Sequence, residues 1–216
     1  MASGVTGAVQ KCLAALAKPP SIQNWRWYDP RAEIAAHNTS PEVSLERAIV
    51  RDIKTSGRRD WSNQVPVASG IIAGSANSRR AIDLVHSTEP NRFEFVELKI
   101  GSDTPLYAAV EILQYGFIWL LSRRYQALLG YGGRTIVDAT DIRLSVLAPA
   151  DYYRGLDLSW LSGALNEGLR SLGERNDVQL EFAFEQFPAR FKWPSETQID
   201  VLAALDNRMP LQPASA

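Results

Sequence analysis

The chain has 216 residues, 45% hydrophobic and 22% charged, which is enough apolar material for the core of one globular domain with extensions. A formal net charge of -1 excludes a broadly basic nucleic-acid coat and leaves open a local basic groove, which the sum would hide. The single cysteine, Cys12, excludes an intramolecular disulfide framework and a Cys-based zinc cluster, and His37 and His86 are too few for a histidine-rich metal site. Any metal would therefore be held by oxygen ligands.

Residues Val5 to Ala17 have helix-forming composition, and Pro19-Pro20 ends that element. This segment lacks the long apolar stretch of a secretory signal. The longest apolar run, Ala108 to Leu121, is interrupted by Glu111 and Gln114 and is too short to cross a bilayer. A cytoplasmic protein without a membrane partner is expected. Asn24 to Arg31 form an aromatic and basic patch with two readings. It is either an arm packing its tryptophans on the core or a surface that stacks bases and touches phosphates. Pro30 and the Asn38–Pro41 cluster bracket a short helix expected at Arg31–His37.

Ser40, Pro41 and Glu42 make a helix start, with Ser40 as N-cap, Pro41 first in the helix and Glu42 beside the positive dipole end. The helix runs to about Lys54, with Ile49, Val50 and Ile53 on one face. Glu46 precedes these by three, four and seven residues, so it falls on the buried stripe. It sits at the stripe's edge, pairs with an arginine, or belongs to a site. Residues 55–78 are rich in Ser, Gly, Asn and Arg, with a strand expected near Val65–Ala73. Arg58-Arg59 and Arg79-Arg80 are either solvated or available to phosphates.

Two strand-length segments, Arg80–His86 and Phe93–Ile100, flank a turn over Thr88–Arg92 that contains Pro90 and Asn91 and predicts a hairpin. Alternation puts Phe93, Phe95, Glu97 and Lys99 on one face, and Glu94, Val96, Leu98 and Ile100 on the other. Asp83 interrupts the apolar run Ala81, Ile82, Leu84 and Val85. Charges among such neighbours are costly unless compensated, for example by a metal ion. A long helix is predicted from Pro105 to Leu129, with Val110, Leu113, Phe117, Leu120 and Leu121 as its apolar face and Gln114 within it. Glu111 and Tyr115 lie one turn apart on an adjacent stripe, and Gly130–Gly133 stop the helix. A strand at Ile142–Ala148, a helix at Trp160–Leu172, a strand at Val178–Phe187 and a short helix near Ser195–Leu205 follow. The segments divide into an arm over 1–40, a domain over 41–206 and a disordered tail over 207–216.

If the two central strands pair, Asp83 and Glu97 converge at one edge of the sheet. Two neighbouring carboxylates repel, and a divalent cation relieves them. Hard oxygen ligands with open positions favour Mg²⁺ or Mn²⁺. Lys99, on the face of Glu97, could hold a water or stabilise developing charge.

Ile82-Asp83, followed fourteen residues after Asp83 by Glu97 within Val96-Glu97-Leu98-Lys99, resembles the bipartite motif of the PD-(D/E)XK, or restriction-endonuclease-like, nuclease superfamily. The match covers roughly Pro41 to Pro149. The proline that names the motif is absent, since Ala81 and Ile82 precede Asp83. The resemblance implies an α/β fold with a helix-strand-strand-strand-helix-strand core. Its central mixed sheet would be flanked by helices, with an N-terminal helical arm and C-terminal helix and strand additions. It implies a Mg²⁺- or Mn²⁺-dependent nuclease that hydrolyses phosphodiester bonds in DNA. Asp83 and Glu97 would ligate the metal, Glu46 would bind a second ion or a water, and Lys99 would position the nucleophile. Gln114 would orient Lys99 or touch the substrate, although some relatives' spacing would put Glu111 in that place. Cutting both strands of a duplex would favour a homodimer. Two other readings stay open: a catalytically silent module of the same fold that binds nucleic acid or a protein, and an ordinary α/β protein with a Glu97–Lys99 ion pair.

Overall fold

A six-stranded mixed sheet with helices on both sides organises the structure. The computed structural model describes residues 11, 20–34, 37–68, 80–195 and 199–211. In chain order the elements are α1 (Pro41–Thr55), β1 (Trp61–Pro66), β2 (Ala81–Glu89), β3 (Arg92–Leu98), α2 (Pro105–Arg124), α3 (Gln126–Leu129), α4 (Thr135–Asp138), β4 (Asp141–Ala148), α5 (Ser159–Glu174), β5 (Gln179–Gln186), α6 (Val201–Asp206) and β6 (Met209–Pro210). The strands lie side by side in sequence order. Strands β1, β2 and β3 pair antiparallel, β3, β4 and β5 pair parallel, and β6 closes the far edge antiparallel. The parallel pairs need crossovers, which α2 and α5 supply. Between β2 and β3, Asn91 takes a left-handed φ of 63° in the tight turn.

Helix α1 begins as its sequence dictates: the Ser40 hydroxyl accepts the Val43 N–H, and Pro41 opens the first turn. Its buried residues Leu45, Ile49, Val50 and Ile53 pack with Trp61, Leu84, Val96, Leu98 and Phe187 on one side of the sheet. On the other side, Phe93, Phe95, Leu144 and Val146 pack under α2 and α5. Trp25 joins that core fully buried, stacked on Phe95, with its indole N–H donated to Ser122 at 2.9 Å. Trp27 lies against Phe93. The tryptophans of the aromatic patch thus serve the core. No described helix is long and apolar enough to cross a membrane.

The structure departs from expectation in five places, the first being β1, which runs over Trp61–Pro66 and leaves Val67 and Ala68 outside the strand expected near Val65–Ala73. The buried face of α2 is Ala108, Ala109, Ile112, Tyr115, Gly116, Trp119 and Ser122, while Val110 and Phe117 are exposed. Small residues win because α2 lies close to β4: a Cβ at Gly116 would sit 2.7 Å from a Leu144 methyl. The long helix also divides at Tyr125, and Gly130, at φ 70°, caps α3. Residues 31–34 are not helical, because Asn63 holds both the N–H and the carbonyl of Arg31. Residues 207–211 extend the fold: β6 pairs with β5, and Arg208 is bound to Glu94 and Glu185. The helix expected over Val5–Ala17, part of the Val65–Ala73 strand and the end of the tail lie outside the described residues.

Candidate active site

The β2–β3 ladder ends at the pair Leu84↔Val96, and the next residue on each strand is Asp83 and Glu97. There the strands part. Instead of a strand carbonyl, the Asp83 carboxylate accepts the Leu98 N–H at 2.9 Å. On the other flank, Asn63↔Leu84 and Val65↔Ile82 leave Gln64 level with Asp83 and outside the ladder. Gln64 has a left-handed φ of 49°, a conformation costing a non-glycine residue on the order of 1–3 kcal/mol and one that clusters at functional sites.

That turn of β1 explains how Glu46 joins the group. Glu46 is buried on α1, and its carboxylate accepts from the Asn63 amide at 2.8 Å and the Gln64 amide at 2.9 Å. Burial, and then the Asp83 charge, push its carboxyl up to about 8, against the two amide hydrogen bonds and Arg47. Asp83 keeps some solvent contact, although protein atoms crowd its carboxyl group. Burial pushes it up to about 6, with Glu111 and Glu42 adding and the Leu98 N–H and Lys99 opposing.

Across β3, alternation carries Glu97 and Lys99 onto the face of Phe95, towards α2. Both are buried. The Lys99 ammonium lies 3.0 Å from Glu97 and 2.9 Å from Glu111, with Asp103 at 3.9 Å. Burial pushes the Glu97 carboxyl well above its ordinary value, and the Asp83 and Glu111 charges push it further. Burial works against the Lys99 cation, but Glu97 and Glu111 outweigh it and hold the amine above its ordinary value. Lys99 is therefore a fixed ammonium at neutral pH. The buried Tyr115 phenol is raised by burial and by Glu97, Glu111 and Asp83, so it remains a neutral donor beside them.

Of the residues singled out by sequence, Asp83, Glu97, Lys99 and Glu46 come together. Gln114 does not reach Lys99. It lies on the exposed side of α2 and accepts from the Arg80 guanidinium at 2.9 Å, while Glu111 takes the place on Lys99. Asn63, Gln64 and Tyr115 complete the surroundings, and only Tyr115 carried a signal, its spacing of one turn from Glu111. Glu42 adds a brace: one of its oxygens accepts the Ser102 hydroxyl at 2.7 Å and the Ile100 and Ser102 N–H groups at 3.3 Å. This holds the loop after β3 against α1. Arg58 is committed elsewhere, to Asp60 and Asp206.

Two hard carboxylates, Asp83 and Glu97, fit a divalent cation by donor chemistry, and burial, which raises both, makes their ionised forms costly without a nearby positive charge. Among the described residues, no three His, Cys, Asp or Glu side chains are grouped as a metal site. Asp83 and Glu97 would supply carboxylate oxygens, leaving other positions for backbone carbonyl, water and substrate oxygen. Comparison with family models, curated proteins and solved structures finds no match to this chain.

Proposed function

We propose that this chain is a Mg²⁺- or Mn²⁺-dependent nuclease of the restriction-endonuclease-like, PD-(D/E)XK type, hydrolysing phosphodiester bonds in DNA. The observation that carries the reading is the parting of β2 and β3 at Asp83 and Glu97, with Lys99 one alternation further on the same face. The order α1-β1-β2-β3-α2-β4 supports it. Asp83 and Glu97 would hold the metal, with Glu46 on the α1 side for a second ion or an ordered water. A bound divalent cation supplies charge neutralisation at the phosphate and lowers the pKa of water.

The chain's own residues do the rest. Lys99 would act as an ammonium held between Glu97 and Glu111. Its work is to orient the attacking water and to stabilise charge developing on the phosphate. Glu111 and Glu97 keep that ammonium charged and aimed. The Leu98 N–H fixes the Asp83 carboxylate on one oxygen and leaves the other for binding. Tyr115 would offer a neutral hydroxyl beside the acidic side of the site. Metal-dependent cleavage by the purified protein, lost in both Asp83→Ala and Lys99→Ala with the fold intact, is the expected result. Cleavage retained by both variants removes the assignment.

One observation favours a second reading, a silent module of the same fold that binds nucleic acid or a protein: Lys99 already lies between Glu97 and Glu111 as an internal counter-ion. Calorimetry with Mn²⁺ separates the two. The nuclease reading requires uptake that depends on Asp83 and Glu97, and the silent module shows none.

A further inference from the structure

Beside the acidic group, the start of β2 and the outer side of α2 enclose a cleft of about 200 Å³ lined by Arg80, Tyr107, Val110, Glu111, Gln114 and Tyr115. Glu111 and Tyr115 belong to both the cleft and the site, so the two share a wall. The outer wall is aromatic and open: Tyr107 is 56% exposed and Val110 46%. Arg80 donates to the neutral Gln114 amide, and among the described residues no carboxylate forms an ion pair with it. A flat ring and a guanidinium thus stand together within reach of the residue that holds Lys99.

An aromatic face beside a cation is the apparatus that binds an unpaired nucleobase together with its phosphate. Bases of a duplex are stacked on one another and offer no face to Tyr107. The net charge of -1 also gives this chain little of the long-range attraction that duplex binding draws on, whereas stacking needs none. We propose that this cleft stacks a base of single-stranded nucleic acid on Tyr107, with Arg80 taking the adjoining phosphate, and thereby makes single strands the substrate of the neighbouring site. The substrate claim rests on the hydrolytic reading above, and the binding claim does not.

The test is fluorescence anisotropy of a labelled oligodeoxynucleotide, single-stranded and annealed to its complement, with the full chain in Ca²⁺. The expected result is tighter binding of the single strand, weakened about 5- to 150-fold by Tyr107→Ala and preserved by Tyr107→Phe, which keeps the ring. Arg80→Ala lowers the salt slope by about one unit. Equal binding by wild type and Tyr107→Ala, or tighter binding of the duplex, overturns the proposal. Cleavage is assayed separately in Mg²⁺. Tyr107-dependent binding without cleavage leaves the cleft standing and removes the nuclease, while cleavage with Tyr107-independent binding does the reverse.

Discussion

The Asp83 carboxylate receives the Leu98 N–H at 2.9 Å, one residue beyond the last pair of the β2–β3 ladder. The acid therefore replaces a strand carbonyl and is held by the strand that carries Glu97 and Lys99. Asp83→Asn keeps an acceptor for that N–H and removes only the charge. Metal-dependent cleavage is expected to fall by about 10²- to 10³-fold or more, the range for losing one preorganised electrostatic group. Kinetics alongside circular dichroism check this, with the fold unchanged.

Glu111 and Gln114 are three residues apart on α2 and have different tasks. Glu111 holds the Lys99 ammonium, and Gln114 holds Arg80. Glu111→Gln is expected to lower kcat about 10- to 100-fold, as for a residue that orients a group in the site. Gln114→Ala is expected to act mainly on KM. Steady-state kinetics of the two variants separate these outcomes.

The raised carboxyls make stability fall with increasing pH. Asp83, at about 6, and Glu46, at about 8, bind protons in the folded chain at pH values where the unfolded chain has released them. Their destabilising effect is absent below about pH 4, grows as pH rises, and is complete above about pH 8. Denaturant titrations without metal should show this decline between pH 5 and 8. Mg²⁺ should flatten it by binding the folded state alone.

Within a second charged cluster, Glu94 works in the opposite direction, while burial and the Glu94 charge raise Glu185. Buried Glu94 is bound to Arg208 and to the Ser145 hydroxyl, and Glu185 takes both Arg208 and Arg143. Despite its burial, the His86 ring, then Arg208, the Ser145 hydroxyl and Arg143, hold Glu94 down at about 2. Its contribution is full above the ordinary carboxylate range and is lost as pH falls towards 2. Arg208→Ala leaves both acids short of a partner and should cost about 3–5 kcal/mol, read as a lowered denaturation midpoint.

The placement of the charged side chains was legible in the sequence where it depended on alternation along a strand. Phe95, Glu97 and Lys99 share a face because the period of a strand is two, and Ser40-Pro41 marks a helix start by its own local bonds. The orientation of α2 was not legible. Its apolar residues run round the helix, so periodicity could not choose between Val110 with Phe117 and Ala108 with Ile112 and Gly116. The choice came from how closely a backbone can approach β4. Glu111 and Gln114 depend on that rotation, so their roles stayed open until it was known. Nothing local in residues 207–211 announces β6, because Arg208 finds Glu94 from 114 positions away in sequence.

The most direct test of the central claim is the release of labelled fragments from DNA by the purified chain in Mg²⁺ and in EDTA, beside Glu97→Gln. The account predicts fragments in Mg²⁺ only and none from the variant. No fragments from wild type with Mg²⁺ or Mn²⁺, or equal amounts from Glu97→Gln, would contradict it.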